Sequence, residues 1–326
     1  MLKCLRFNNP PMRLLVTGGA GFIGSHFIRY MLGRYPDYEI INLDHLTYAG
    51  NLDNVSDVSD HSHYSFVQGD IADRKLMDEL AGKADTIINF AAETHVDNSI
   101  TDPTPFLTTN VIGTQILIEA ALKYKHSRYL QISTDEVYGD IEEGLFTENS
   151  PLKPSSPYSA SKAAGDMLCL AAIRTYGLPA VISRCSNNYG PYQYPEKIVP
   201  FFIKRLLAGE KVPVYGNGSN VRDWLHVTDH CRAVDLILHE GKIGEIYNVG
   251  ANNEHSNLEI TKKMLKILDL QEDRIEFVKD RPGHDIRYAI DATKIRNELG
   301  WKPTVDFEEG FHNTVLWYSE RLVINN

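Results

Sequence analysis

Apolar and polar positions follow one another along this chain in two rhythms. Short, nearly unbroken apolar runs occupy 13–17, 39–44, 65–68, 86–90, 128–134, 180–186 and 245–249. Such runs suit strands that are buried on both faces. Between them, apolar residues recur every three to four positions at 21–35, 74–81, 105–125, 157–176 and 228–239. That spacing gathers apolar side chains on one face of a helix. Strands alternating with helices over this length predict an α/β fold, a Rossmann-type doubly wound parallel sheet.

After Asn188 the rhythm changes. Residues 189–196 hold one Gly, two Pro and three Tyr, the composition of a loop. A strand is expected over 221–227, with helices near 258–268 and 292–299, and the run at 245–249 is expected to return to the first sheet. The predicted organisation is an N-terminal extension over 1–12 and a dinucleotide-binding domain over 13–190 that also receives about 227–250. A smaller, interleaved α/β domain made of 191–226 and 251–326 would bind the substrate.

Composition narrows the class without naming a chemistry. At 326 residues, 43% apolar, the chain is long enough for about two ordinary globular domains. Its 33 Lys and Arg against 43 Asp and Glu leave a net charge of -10, which argues against nucleic acid or an anionic membrane as partner. The longest apolar run, 167–173, is far short of the roughly 20 residues of a membrane span. Cys4, Cys169, Cys185 and Cys231 form no CxxC pair and nothing resembles a secretory leader, so reduced thiols and a cytoplasmic location are expected. The twelve histidines are scattered and supply no metal set.

Two constellations carry chemistry. The first strand runs into Gly18-Gly19-Ala20-Gly21-Phe22-Ile23-Gly24, then a helix. Gly18, Gly21 and Gly24 suit a tight turn whose bare backbone admits a pyrophosphate to the helix N-terminus. A structural turn would also explain three glycines alone, but the next strand ends at Asp44, twenty residues past Gly24. A carboxylate there accepts from ribose hydroxyls and repels a 2′-phosphate, which favours NAD over NADP.

The second is Tyr158 and Lys162, four apart on one helical face. A free phenol has a pKa near 10, and lowering it by about three units takes roughly 4 kcal/mol of preferential stabilisation of the anion. A nearby ammonium and a nicotinamide cation could supply this together, and the phenolate would take a proton from a sugar hydroxyl. An isolated YxxxK also fits an exposed Tyr beside a solvated Lys. The glycine turn, Asp44 and the pair Ser133-Thr134 at a strand end favour the catalytic reading.

The glycine turn with the mid-chain YxxxK resembles the extended short-chain dehydrogenase/reductase family. Within it, the chain is similar to nucleotide-sugar 4,6-dehydratases through Ser133-Thr134-Asp135-Glu136-Val137-Tyr138-Gly139 and Arg184-Cys185-Ser186-Asn187-Asn188-Tyr189-Gly190-Pro191-Tyr192-Gln193. Val221-Arg222-Asp223-Trp224 and Asp280-Arg281-Pro282-Gly283-His284-Asp285 match as well. Thr94 and Asn98 stand where the family has Ser and Arg.

The resemblance implies dTDP-glucose as substrate and a tightly held NAD. It makes Tyr158, aided by Thr134 and Lys162, the base at the C4 hydroxyl, Glu136 the base at C5 and Asp135 the acid at the C6 hydroxyl. Elimination needs two carboxyl groups of different protonation, whereas an epimerase on the same scaffold needs neither. Consecutive strand residues point to opposite faces, so a break after Thr134 is required if both carboxyls are to reach one sugar. Without the flanking match, Asp135 and Glu136 would read as loop caps.

For the cofactor, the resemblance adds Phe22, Ile23, Leu46, Thr47, Asp70, Ile71, Ala91, Ala92, Thr109, Ser133 and Asn188 to the glycines and Asp44. For the substrate it implies Thr94, Thr134, Asn187, Lys197, Ile198, Pro213, Tyr215, Arg222, Asn257, Arg281 and His284. Arg222 and Arg281 are expected to hold the diphosphate, since guanidinium binds phosphate bidentately. A homodimer through 105–125 and 157–176 is implied too. UDP-sugars, a 4-epimerase and a non-catalytic dinucleotide sensor remain as alternatives.

Overall fold

A computed structural model describes residues 11–280 and 283–324 of the chain. Strands β1 (Arg13–Thr17), β2 (Glu39–Asp44), β3 (Tyr64–Gln68), β4 (Thr86–Asn89), β5 (Arg128–Thr134) and β6 (Ala180–Cys185) alternate with helices. These are α1 (Phe22–Arg34), α2 (Arg74–Ala81), α3 (Val96–Thr101), α4 (Thr104–Phe106), α5 (Thr114–Lys123) and α6 (Pro157–Tyr176). There follow β7 (Asn187–Tyr189), α7 (Ile198–Leu207), β8 (Val212–Tyr215), β9 (Val221–His226), α8 (Val227–Glu240), β10 (Ile246–Val249), β11 (Glu254–Ser256), α9 (Asn257–Ile267), β12 (Ile275–Val278), α10 (Thr293–Leu299) and α11 (Phe307–Ile324).

The principal sheet runs β10-β6-β5-β4-β1-β2-β3, and every pair in it is parallel. The chain adds β2 and β3 on one side of β1 and β4, β5 and β6 on the other, and at this switch point a crevice opens beyond the carboxyl ends of the strands. Period-two alternation splits each strand between two cores. Leu14, Val16, Ile88 and Leu130 pack under α1 and α8, while Leu15, Ile87 and Tyr129 pack under α2, α5 and α6. A third core gathers Trp224 with Val199, Phe202, Ile260, Phe307 and Phe311. It joins α7, α9 and α11 to the small sheets β11-β9-β7 and β12-β8. Strand β10 does return to the principal sheet, beside β6.

Two expectations need correction. The segment at 105–125 is not one regular helix: α4 begins at Thr104, and Leu107–Gly113 forms a π-helical insertion ahead of α5. Packing explains it. Asn110 in the insertion donates to Glu93 O at 3.0 Å and Ser161 Oγ at 2.8 Å and accepts from Glu93 N at 2.9 Å. A Cβ on Gly113 would come within 2.5 Å of Ile71, so the wide turn lies directly on that side chain. Second, α7 and α11 went unforeseen, and the loop at 189–196 begins one residue later because Tyr189 closes β7.

Candidate active site

The glycine turn is shaped by contact as much as by φ. Gly18 sits at φ 71, and a Cβ there would lie 2.6 Å from Ala91 N, so the β1 turn rests on the β4 turn only because both side chains are minimal. A Cβ on Gly24 would meet Gly18 O at 2.3 Å, which lets α1 start immediately against that turn. The N-cap Gly21 offers no side-chain acceptor, and the first turn of α1 holds no acidic residue. Its free N–H groups therefore face the crevice with the positive end of the helix dipole, as a bound diphosphate requires.

Asp44 ends β2 in the same crevice. Its carboxylate accepts from Ala20 N at 2.9 Å and Leu46 N at 2.8 Å, and oxygen lone pairs remain for a ribose diol. These donors oppose the burial that raises its pKa. The cleft, about 1510 Å³ counting its open mouth, is lined by Gly18, Gly21, Phe22, Ile23, Gly24, Asp44, Thr47, Asp70, Ile71, Ala91, Ala92, Thr109, Ser133 and Asn188. The glycines, the uncapped helix and Asp44 together fit NAD. Leu46 lies outside this lining, held at φ 54 by its bond to Asp44.

Beyond Thr134 the strand breaks into a 3₁₀ turn over Asp135–Tyr138. Thr134 caps that turn: Glu136 N donates to its hydroxyl at 3.3 Å, and the hydroxyl donates to Asp135 Oδ1 at 3.2 Å. Both carboxyls thereby line the same cleft as Thr134, Tyr158 and Lys162. Asp135 is 2% exposed, and its Oδ2 has no hydrogen-bond partner among the described residues. Burial, Glu136 and Asp223 push its carboxyl well above the usual carboxylate range, against Arg222 and the Thr134 hydroxyl.

Helix α6 presents the tyrosine and lysine. A capping box between Ser156 and Ser159, with Pro157 in the first turn, starts it one residue before Tyr158. The Tyr158 N–H donates to Ser99 Oγ at 3.2 Å, and the ring meets Phe106 edge-on. Lys162 Nζ donates to Ile132 O at 2.7 Å, which anchors it beneath the end of β5. Burial lowers the Lys162 pKa and Asp166 raises it. Burial, Glu136, Cys185 and Asp135 push the Tyr158 phenol up, and the Thr134 hydroxyl pulls it down.

The substrate set divides. Thr94, Thr134, Asn187 and Lys197 line the cleft, and Lys197 Nζ spans it to donate to Thr94 O at 3.0 Å. Ile198, Pro213, Tyr215, Arg222, Asn257 and His284 do not line it. Arg222 is engaged within the protein's own fold. It is buried, donates to the carbonyls of Val221, Asp285 and Ile286, and stacks 4.0 Å over Tyr288. The His284 imidazole is paired to Asp280 at 2.6 Å. Arg281 lies outside the described residues.

Several lining residues escaped the sequence reading: His45, Glu93, Cys185, Ser186, Gln193 and Tyr194. The first four stand at or just beyond the ends of β2, β4 and β6, so the rule that open α/β sheets bind ligands at carboxyl ends was the signal available. Gln193 and Tyr194 lie in a loop with no such rule.

Sheet order, glycine turn and the tyrosine–lysine helix define a Rossmann-type enzyme of the short-chain dehydrogenase/reductase class. A family model described as GDP-mannose 4,6 dehydratase matches residues 15–314, and the chain belongs to that family. It is 55% identical to the low-salt glycan biosynthesis protein Agl12 of Haloferax volcanii, over 94% of this chain and 98% of that protein. It is 52% identical to dTDP-glucose 4,6-dehydratase of Streptomyces niveus, covering 95% and 93% of the two chains. Among solved structures, DesIV, the dTDP-glucose 4,6-dehydratase of Streptomyces venezuelae with NAD bound, matches with a TM-score of 0.93 and 51% identity, over 95% of this chain and 97% of that one.

Proposed function

We propose that this protein is an NAD-dependent dTDP-glucose 4,6-dehydratase, a hydro-lyase yielding the 4-keto-6-deoxy sugar nucleotide. One observation carries the reading: the 3₁₀ turn after β5 brings Asp135 and Glu136 together into the cleft that holds Thr134, Tyr158 and Lys162. An epimerase has no use for that pair of carboxyls.

Bound NAD supplies the hydride acceptor at C4, the hydride donor at C6 and a positive charge beside the phenol. Residues 13–190 with about 227–250 serve it, and 191–226 with 251–326 serve the sugar nucleotide. Tyr158 takes the C4 hydroxyl proton, with Thr134 directing that hydroxyl and Lys162 holding positive charge under the site. The 4-keto group acidifies the proton on C5, which Glu136 removes and, once water has left and C6 is reduced, returns to C5. Asp135 gives its proton to the C6 hydroxyl, which leaves as water. Thr94, Asn187 and Lys197 border the space open to the sugar.

The chain acts as a homodimer in this reading. Leu107 (51% exposed) and Ile112 (51%) in the π insertion and Met167 (56%) on the adjoining α6 leave an apolar face for a second copy. Among the described residues no helix is long and apolar enough to cross a membrane, and Cys169, Cys185 and Cys231 are free thiols, in keeping with a reducing compartment. The test is direct: purified protein incubated with dTDP-glucose yields the 4-keto-6-deoxy product without net NADH. Recovery of only the galactose epimer refutes the assignment, and turnover of UDP-glucose at an equal rate refutes the nucleobase.

A further inference from the structure

One residue of the loop beside the cleft holds an unfavourable backbone conformation. Tyr192 has φ 66, in the left-handed region that a bulky side chain rarely enters. Strain of this kind persists only where the surroundings over-determine it, and it gathers at functional sites. Two helices hold the turn. From α1, His26 Nε2 donates to Pro191 O at 3.0 Å, and the Arg29 guanidinium lies 4.4 Å over the Tyr192 ring. From α11, the Tyr318 hydroxyl reaches Gly190 O at 3.2 Å and Gln193 O at 3.1 Å, and Trp317 meets the Tyr192 ring edge-on with centroids 4.9 Å apart. The loop is thus pinned between the helix whose first turn faces the cofactor cleft and a helix of the third core.

What the turn achieves lies one residue on. Gln193 folds back so that its Nε2 donates to Asn188 O at 3.0 Å, and both residues line the cleft. Asn188 is itself fixed: its Oδ1 meets His230 Nδ1 at 3.0 Å, and its Nδ2 donates to Ser186 O at 2.9 Å and Cys185 Sγ at 3.4 Å. Cys185 is paired in register with Thr134, so this wall stands beside Thr134 and across the switch point from Asp44. Asp44 marks the adenosine half of a dinucleotide laid over that point, so the wall of Asn188 and Gln193 borders the nicotinamide half.

We propose that Tyr192 is a positioning residue for the cofactor: its strained turn, clamped between α1 and α11, holds Gln193 and Asn188 in place for the nicotinamide before NAD arrives. Tyr192 does not line the cleft; it acts through Gln193. The inference rests on the reading of Tyr158 as the base beside the nicotinamide, and not on the identity of the sugar nucleotide.

The test is a pair of titrations of the full-length protein stripped of cofactor, one with NAD and one with ADP-ribose, which lacks the nicotinamide. A wall that NAD must order for itself costs about one immobilised side chain, or roughly tenfold in affinity. Tyr192→Gly accepts the left-handed conformation without strain but abandons the ring contacts. NAD affinity should then fall about tenfold while ADP-ribose affinity is unchanged. Tyr192→Phe keeps the ring and should restore the wild-type ratio of the two affinities. Tyr318→Phe removes the hydroxyl from both loop carbonyls and keeps its ring in the core. It should show the same selective loss, and it serves if Tyr192→Gly fails to fold. Equal losses for both ligands overturn the proposal and leave Tyr192 as a fastener of α1, and an unmoved NAD affinity overturns it too. No sugar nucleotide enters these titrations, so wild-type protein that makes no 4-keto-6-deoxy product overturns the dehydratase reading alone.

Discussion

Beneath the catalytic helix lies a buried ion pair whose removal has a calculable cost. Arg184 Nε meets Asp166 Oδ2 at 2.9 Å, with side chains 2% and 0% exposed. Ser133 Oγ shares that oxygen at 3.0 Å, Arg184 donates to Tyr138 OH at 2.9 Å, and Tyr138 donates to Asn248 Oδ1 at 2.8 Å. Burial pushes the Asp166 carboxyl up by more than Arg184 pulls it down, whereas for Arg184 the raising contacts outweigh burial. The pair is ionised, because a guanidinium keeps its proton in proteins and needs the carboxylate beside it. Asp166→Leu would strand that cation. Breaking a buried pair from one side costs about 3–5 kcal/mol, and the orphaned Ser133 hydroxyl adds about 1 kcal/mol. Replacing both, Asp166→Leu with Arg184→Met, should recover more than half of the loss, since neither charge is then buried alone. Urea unfolding followed by circular dichroism and tryptophan fluorescence measures the cycle. A single-variant loss below about 1 kcal/mol would mean that the pair is not ionised and would refute the reasoning.

Other expectations follow from the site and its surroundings. Glu136→Gln should stop elimination while leaving the first hydride transfer, so reduced-cofactor absorbance persists after substrate is added; unchanged product formation would remove Glu136 from the mechanism. Asp44→Ser should weaken NAD relative to NADP by about tenfold, or 1.4 kcal/mol, measured by titration of cofactor-free protein; an unchanged ratio would take Asp44 away from the ribose. His230, fully buried and bonded through Nδ1 to Asn188 Oδ1 at 3.0 Å, has its pKa lowered to about 3 by burial. Its folded pKa is below the unfolded value near 6.5, so its contribution is intact above that pH. It falls by about 1.4 kcal/mol per unit as pH drops from there toward 3. His230→Asn should flatten the slope of stability against pH over that window by about one proton; an unaltered slope would mean that another group titrates.

How much of this was legible in the chain depends on which physical rule wrote each part. The seven strands of the principal sheet are apolar on successive residues because both their faces are covered, and their positions could be read to within a residue or two. Asp44 and Thr134, at strand ends, were readable because open parallel sheets place ligands there, whereas Asp135 was readable only through the family resemblance of the residues around it. The break after Thr134 was demanded by geometry before it was seen, and the 3₁₀ turn supplies it. Less was legible where packing between distant segments decides. The π insertion depends on Asn110 reaching Glu93 and Ser161, partners 17 and 51 residues away. Helix α11 repeats apolar residues at Phe307, Phe311, Val315 and Tyr318, a readable stripe hidden among acidic positions. Arg222 was the subtlest: its residue type suits phosphate, but its place on β9 gives its donors to backbone carbonyls.

The arrangement also resolves how a chain of net charge -10 can receive anions. The cleft itself carries Asp44, Asp70, Glu93, Asp135 and Glu136 against Lys162 and Lys197, so bulk charge cannot be what attracts a diphosphate. What the cleft offers is unspent donors: the uncapped first turn of α1, with the glycine backbone leading into it. Fixed N–H dipoles bind phosphate without adding a cation that would neutralise the carboxyls proposed for elimination or pull the proton from Asp135. A lysine-rich phosphate site would lower the pKa of the acid that elimination needs. Backbone recognition of the cofactor and carboxyl chemistry on the sugar are therefore compatible in one acidic cleft, because the first draws on dipoles and leaves the charge balance to the second.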